Sequence, residues 1–282
     1  MSRIVRGSAA VALAAAASLL LAACTPAAPA ESPESSVDAG YVTEGKLTIA
    51  TGEPAYFPYV IDDDPTTGEG FEAAIAYAVA EELGFAAEDV VWVRTSFEAA
   101  IQPGPKDFDF NLQQYTITDE RAENVDFSSP YYSTPQAVIT VEGSPAAEAG
   151  SLADLEGLLV GAATGTTSFA AIEEQIAPAA GAQAFNTNDD AVLALQNGTI
   201  DAIVVDLPTA FFLTGVILEG GVLLGQLPAD AGISDEWGLV LAKDSPLTAA
   251  VTAAVDALRE SGRLAEIADE WLGADAGAPI LQ

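Results

Sequence analysis

The chain reads as an α/β protein built on mostly parallel sheets. Short apolar runs of strand length alternate with segments of helical period along nearly the whole chain. Half of the residues are hydrophobic, enough for a sizeable core. Polar and aromatic residues with recognition chemistry cluster just past the carboxyl ends of several runs, where open α/β sheets bind ligands.

Lys46 to Ala50 is the first strand, leading into an aromatic loop from Thr51 to Tyr59. Gly70-Phe-Glu opens a helix with Phe71, Ile75, Ala78, Val79 and Leu83 at helical spacing, closed by Gly84. Val90 to Val93 is a strand, Phe97 to Ile101 a short helix, and Phe108 to Leu112 a strand. Further on, Gln136 to Val141 is extended, and Ser151 caps a helical turn. Leu158 to Ala162 is a strand leading through Gly165-Thr-Thr into a helix that reaches about Ile176. Ala182 to Phe185, Ile200 to Val205, Gly221 to Leu224 and Trp237 to Ala242 are strands. Asp189 to Gln196, Pro208 to Leu213, Leu247 to Ser261 and Leu264 to Leu272 are helices.

Two segments precede this body. Met1 to Ala23 has Arg3 and Arg6, no acid, and an apolar run from Ala9 to Leu21. It has the pattern of a secretory signal peptide, too short to span a membrane. Its end, Leu21-Ala-Ala-Cys24, resembles a bacterial lipobox, whose cysteine becomes the lipidated first residue; Cys24 is the only cysteine. Thr25 to Gly40 is rich in Pro, Ala, Ser and Glu and reads as a flexible tether with a reach of roughly 20 Å. The expected division is signal peptide 1–23, anchor and tether 24–45, then the body.

Charge narrows the function. The formal net charge is −33, and loss of the leader leaves seven Lys plus Arg against 42 Asp plus Glu. Phosphate polyanions and anionic membrane surfaces are repelled by such a body, so no nucleic acid partner is expected. The chain contains no histidine, which excludes Ser-His-Asp catalysis and histidine metal sites. No cofactor is expected. Paired carboxylates remain available among so many acids.

Arg121 stands out because arginine is scarce here. Its planar fork of donors suits a carboxylate, and Thr116 and Thr118 nearby supply hydroxyls. The alternative is local: Thr118 caps a helix, and Arg121 pairs on the surface with Glu120, Glu123 or Asp126. Gly165-Thr-Thr at a helix start is an anion site or an ordinary cap. Asp206, after an apolar strand, is costly to bury without a cation; it either meets one or caps the helix at Leu207.

The run Thr118-Asp-Glu-Arg121, followed by Val125-Asp-Phe-Ser-Ser-Pro-Tyr-Tyr132, resembles the signature of solute-binding proteins of amino-acid ABC transporters. The resemblance covers Lys46 to Gly273 and includes the Gly-Phe-Glu helix start, although Ala74 stands where the family usually has Asp. It implies a type 2 periplasmic-binding-protein fold. Two lobes, each a mixed, mostly parallel sheet flanked by helices, are joined by two crossover strands, here Tyr132 to Val138 and Asp235 to Leu239. Lobe 1 would be 46–135 plus 238–282, and lobe 2 would be 136–237. The implied site is a cleft for a free amino acid. Arg121, Thr116 and a backbone group near Gln114 would take the α-carboxylate from lobe 1. Thr166 and Thr167 would take it from lobe 2, and Asp206 would hold the ammonium. Tyr56 would stack on the ligand side chain with Phe57 close by, and Glu53 would favour a polar or basic side chain. Gln113 and Gln114 replace small residues and narrow the pocket. The implied partners are an ABC permease and its ATPase, met by a lipid-anchored extracytoplasmic monomer that is not an enzyme. The alternatives are a sensor ectodomain or a dehydratase-type enzyme on the same fold.

Overall fold

The structure, a computed structural model, describes residues 40–228, 235–273 and 277–282. The leader, Cys24 and the tether up to residue 39 lie outside the described residues. Twelve strands are present among the described residues. In chain order they are β1 Leu47–Thr51, β2 Val90–Arg94, β3 Phe110–Asn111, β4 Val125–Phe127, β5 Tyr132–Thr134 and β6 Gln136–Val141. β7 Val160–Ala163, β8 Gln183–Phe185, β9 Ala202–Asp206, β10 Gly221–Gln226, β11 Asp235–Trp237 and β12 Val240–Ala242 follow. The α-helices are α1 Phe71–Glu82, α2 Phe97–Ile101, α3 Asp119–Ala122, α4 Leu152–Leu155, α5 Thr167–Ala171, α6 Asn188–Gln196, α7 Leu207–Phe212, α8 Thr248–Glu260 and α9 Arg263–Trp271.

The strands form two five-stranded sheets, ordered β2-β1-β3-β12-β4 and β10-β6-β9-β7-β8. In the first, β1 runs parallel to β2 and β3, whereas β12 is antiparallel to β3 and β4. In the second, β7 is parallel to β8 and β9, and β6 is antiparallel to β9 and β10. Both sheets are therefore mixed, with parallel and antiparallel ladders in equal number. A separate antiparallel ribbon of β5 and β11 lies where the chain passes from one sheet to the other.

Both faces of each sheet are covered, which is why the central strands are apolar throughout rather than alternating. On the first sheet, Leu47 and Ile49 pack with α1, α8 and α9 through Ile75, Val251 and Ile267, while Ala50, Phe108, Tyr115 and Val240 form the opposite face. On the second, Val138 and Val204 point to one core, and Ile139, Ile203 and Val205 point to the other. This is the period of two expected of a strand. Burying one such side chain contributes about 1.5–3 kcal/mol, so Ile49→Ala would cost about 2–5 kcal/mol.

Four parts of the chain differ from the sequence expectation. The run from Trp237 to Ala242 is two strands, because Gly238 passes so close to Ile117 and Phe127 that a Cβ there would lie 2.9 Å from Ile117. The third strand is only the pair Phe110–Asn111. Tyr41 and Val42, expected in the tether, belong to the body: the Tyr41 ring meets Phe85 edge-on at 5.0 Å, and the Val42 N–H donates to Asp109 at 2.8 Å. The last residues, expected in lobe 1, lie on the second sheet instead. Leu281 is 2% exposed in that core, its N–H donates to the Gln226 carbonyl, and the Gln226 N–H donates to the Pro279 carbonyl. Apolar Leu281 finds a buried seat there, and the backbone pairing with the end of β10 holds it.

Candidate functional site

The carboxyl ends of β1, β3, β7 and β9 converge on one cavity of about 450 Å³ between the two sheets. Glu53, Tyr56, Gln113, Gln114 and Arg121 line it from the first lobe, and Thr166, Thr167 and Asp206 line it from the second.

Arg121 sits in the short helix α3. Thr118 does cap that helix, accepting from the Arg121 N–H at 3.2 Å, as the local reading expects. The guanidinium, however, does not pair with the acids around it. It is 8% exposed and lies over the Phe97 ring, with its carbon 5.4 Å from the ring centre. Nη1 donates to the Thr116 carbonyl at 2.7 Å, and Nη2 crosses the cleft to the Gly165 carbonyl at 2.9 Å. Gly165 holds φ +73°, a turn glycine tolerates, and this presents its carbonyl to Arg121. Among the described residues no salt bridge includes Arg121. Burial lowers its proton affinity without discharging it.

The opposite wall carries carboxylates. Asp206 ends β9 and its side chain does not cap α7. It accepts from Gln136 Nε2 at 2.7 Å and has no salt bridge among the described residues. Burial raises its carboxyl to about 8, and Asp235 beside it pushes the same way. Asp235, also raised by burial, accepts from Thr167 Oγ1 at 3.1 Å and from the same Gln136 amide.

The remaining expected residues fall into different positions. Thr167 bonds to the Thr116 hydroxyl across the cleft at 3.3 Å, and Thr116 itself is buried behind the cavity surface. Thr166 lines the cavity, but its hydroxyl caps α5 by accepting from the Phe169 N–H, and donates to the Ala163 carbonyl. The backbone N–H of Gln114, in a left-handed conformation at φ 53°, donates to Glu72 at 2.7 Å. It is therefore engaged within the protein, as is the Gln114 amide. Gln113 turns to Asn111. Tyr56 lines the cavity and reaches Asp189 at 3.1 Å, whereas Phe57 does not line it. Phe57 is 45% exposed and meets the Phe212 ring of the other lobe at a tilt of 38° with centroids 4.7 Å apart, because its position in the aromatic loop carries it to the rim. Glu53 is exposed at the cavity edge, as is Glu98.

Sequence reasoning passed over Glu72, Gln136 and Asp235. Glu72 is 2% exposed, lines the cavity, and accepts from the Gln114 amide and backbone and the Tyr131 hydroxyl; burial raises its carboxyl to about 7. An acid in the first turn of a helix reads as dipole complement, so nothing local marks it as buried. Asp235 follows a small polar residue and precedes another acid, the pattern of a solvated loop.

The lobes touch at several points across the cleft: Arg121 to Gly165, Thr116 to Thr167, Tyr56 to Asp189, Phe57 to Phe212, and Tyr59 to Thr209 at 2.8 Å. Two α/β lobes closed on a cavity lined by an arginine and a buried aspartate, neither in a salt bridge among the described residues, define a small-ligand binding protein. The family model of bacterial extracellular solute-binding proteins, family 3, matches residues 47–274, and the chain belongs to that family. Over 232 residues it is 32% identical to an L-arginine-binding protein of Pseudomonas aeruginosa, covering 79% of this chain and 86% of that one. Among solved structures it is similar to an ancestral arginine-binding protein bound to glutamine, at TM-score 0.68 and 27% identity, with 82% and 100% of the two chains covered. It is also similar to the arginine-, lysine-, histidine-binding protein ArtJ of Geobacillus stearothermophilus, at TM-score 0.67 and 26% identity, with 82% and 96% covered.

Proposed function

We propose that the protein is the extracytoplasmic substrate-binding component of an ABC importer, capturing a free amino acid between its lobes and delivering it to a membrane permease driven by an ATPase. The observation that carries this reading is a pair of groups in one closed cavity: the Arg121 guanidinium and the Asp206 carboxyl, each held by uncharged partners. An α-amino acid brings one anionic and one cationic group on a single carbon, the complement of that pair. In this reading Arg121 takes the α-carboxylate, Thr167 and the N-terminal turn of α5 assist from the second lobe, and Asp206 takes the ammonium. Tyr56 covers the side chain, with Glu53 and Glu98 at the edge favouring a polar or basic one. The names of the relatives, arginine binders among them, support the ligand class.

The reading is of a binder rather than an enzyme, because the raised carboxyls of Glu72 and Asp206 are each held by amide or phenol donors within the protein. Lobe 1 is taken as 46–135 plus 238–273, and lobe 2 as 136–237 plus the tail 277–282. Cys24 anchors the chain through lipid at the outer face of the membrane, and the body works as a monomer. Cys24→Ser should release the protein to the medium, whereas retention on the membrane would refute the anchor.

A panel of twenty free amino acids read by thermal shift tests the function. One or more should raise the melting temperature by mass action, with a dissociation constant near micromolar, about −8 kcal/mol. A panel without any shift, alongside a shift from a sugar or a peptide, would overturn the assignment.

A further inference from the structure

Gln136 is 8% exposed on β6, and its amide orientation is set by Ser168, whose hydroxyl donates to Oε1 at 2.6 Å. That leaves Nε2 facing two carboxylates, Asp206 at the end of β9 and Asp235 on the crossover strand β11, and it donates to both. Two acids thus share one amide nitrogen inside the protein. The hydroxyls of Thr167 and Thr116, also neutral, bond to Asp235 as well. Neither acid has a salt bridge among the described residues.

We infer that Asp235 is the second carboxylate of the ammonium site: while the cleft holds no cation, Asp206 and Asp235 share one proton across Gln136, and the ligand's ammonium takes that proton's place. The inference rests on the amino-acid reading above. Two like charges in one buried pocket cannot both ionise without a compensating cation, so the pair titrates as a unit. On binding, the ammonium supplies the positive charge, the shared proton leaves to water, and both carboxylates are then ionised.

The charged and titratable surroundings agree. Arg121 on α3 favours ionisation of both acids, but its donors go to backbone carbonyls. Glu72 on α1 opposes ionisation of Asp206, and the phenols of Tyr59 and Tyr131 face it in neutral form, their own ionisation suppressed by burial. Burial raises both members of the pair. Asp235 does not line the cavity, so it acts through Asp206 and Thr167 as a positioning residue.

The test is calorimetric titration of the full chain with L-arginine in buffers of different ionisation heat, between pH 6 and 8. Wild type should release close to one proton per ligand below about pH 8, with affinity rising up to tenfold per pH unit. Asp235→Asn should release less than half as much, and its affinity should be nearly flat with pH. Thr167→Val, which removes a hydroxyl from Asp235, from Thr116 and from the ligand carboxylate but leaves both acids in place, should weaken binding while keeping proton release. If both variants weaken binding alike and proton release is unchanged, Asp235 is merely structural and the inference fails. If L-arginine and the rest of the panel give no heat, the amino-acid reading fails, and the pair is judged in the ligand-free protein by infrared spectroscopy. In a Glu72→Gln background, which removes the other raised carboxyl, a protonated-carboxyl band at pH 7 lost in Asp206→Asn and in Asp235→Asn alike would support the shared proton. Its persistence in Asp235→Asn would overturn it.

Discussion

On the first-lobe wall of the cleft, Arg121 projects from a four-residue helix and rests its two terminal nitrogens on the carbonyls of Thr116 and Gly165. On the second-lobe wall, Asp206 ends a buried strand and rests on the side-chain amide of Gln136. Both groups are oriented by neutral partners, so neither receives an ion-pair partner from the described residues before a ligand enters the cavity. They differ in what burial does to that charge. A guanidinium stays charged under desolvation, whereas a carboxyl answers by holding its proton. The cation wall is therefore ready at every working pH, and the acid wall is ready only when a cation arrives. The arrangement separates the orienting contacts from the neutralising one, which is left to the ligand.

The largest effect should come from removing the always-charged side of this comparison. Arg121→Ala leaves the ligand carboxylate buried and unpaired, a loss of about 3–5 kcal/mol, or more than a hundredfold in affinity. Arg121→Lys should recover part of it, since a point charge cannot reproduce the fork. Near-wild-type affinity of Arg121→Ala by calorimetry would break the assignment of this wall. Its ligand-free stability should fall by about 1 kcal/mol, because two carbonyls lose a donor but can reach water.

Asp206→Asn should weaken amino-acid binding by about 1.5–3 kcal/mol, the worth of a charge-assisted hydrogen bond, or roughly ten- to hundredfold. It should also do something that no change on the Arg121 side does: stabilise the ligand-free protein above neutral pH, where wild type must hold an uncompensated acid. A denaturant melt at pH 8 that shows Asp206→Asn less stable than wild type would contradict the contrast.

The third prediction concerns pH itself. Asp206 titrates near 8 and Glu72 near 7 in the folded chain, both above the ordinary carboxylate range of about 4. A raised pKa means that the native state holds protons which the unfolded chain has already released. The stability from these two groups is fully present below about pH 4 and is lost as pH rises through about 7 to 8. Ligand-free melting temperature should therefore decline from pH 5 to 8. Glu72→Gln should shallow the slope, and a saturating amino acid should shallow it further. A slope unchanged by Glu72→Gln would remove that acid from the account.

The smallest effect is expected at the rim. Phe57→Ala removes the tilted ring contact with Phe212, worth about 0.5–1.5 kcal/mol and present only when the lobes meet. Affinity should fall about three- to tenfold through faster release, measured by stopped flow. A loss as large as that of Arg121→Ala would mean that Phe57 contacts the ligand after all.

Much of this was readable in the chain. Strand positions followed from apolar runs such as Ile200 to Val205, and helix starts from Ser151 and Thr187, which do accept the expected backbone bonds. Arg121 was legible because a lone arginine in a run of acids is anomalous, and Asp206 because an acid ends a strand buried along its length. The same logic missed Glu72 and Asp235. A glutamate in the first turn of α1 and an aspartate between serine and glutamate have ordinary local explanations, and burial is set by partners 42 to 99 residues away in sequence. Phe57 fell the other way. Its place beside Tyr56 predicted a shared role, yet one side chain turns into the cavity and the other onto the opposite lobe.

What the sequence determined by itself is therefore the alternation of strands and helices, the ends of strands where ligand chemistry gathers, and the two charges placed there. These are local properties, carried by periodicity, capping and the cost of burying a charge. The tertiary structure alone decided which groups share a partner. It put Asp206 and Asp235 on one amide, engaged the Gln114 N–H with Glu72, and seated Leu281 on the second sheet. Each is a contact between segments distant in the chain, and whether a side chain is neutralised, occupied or exposed depends on what the fold brings against it.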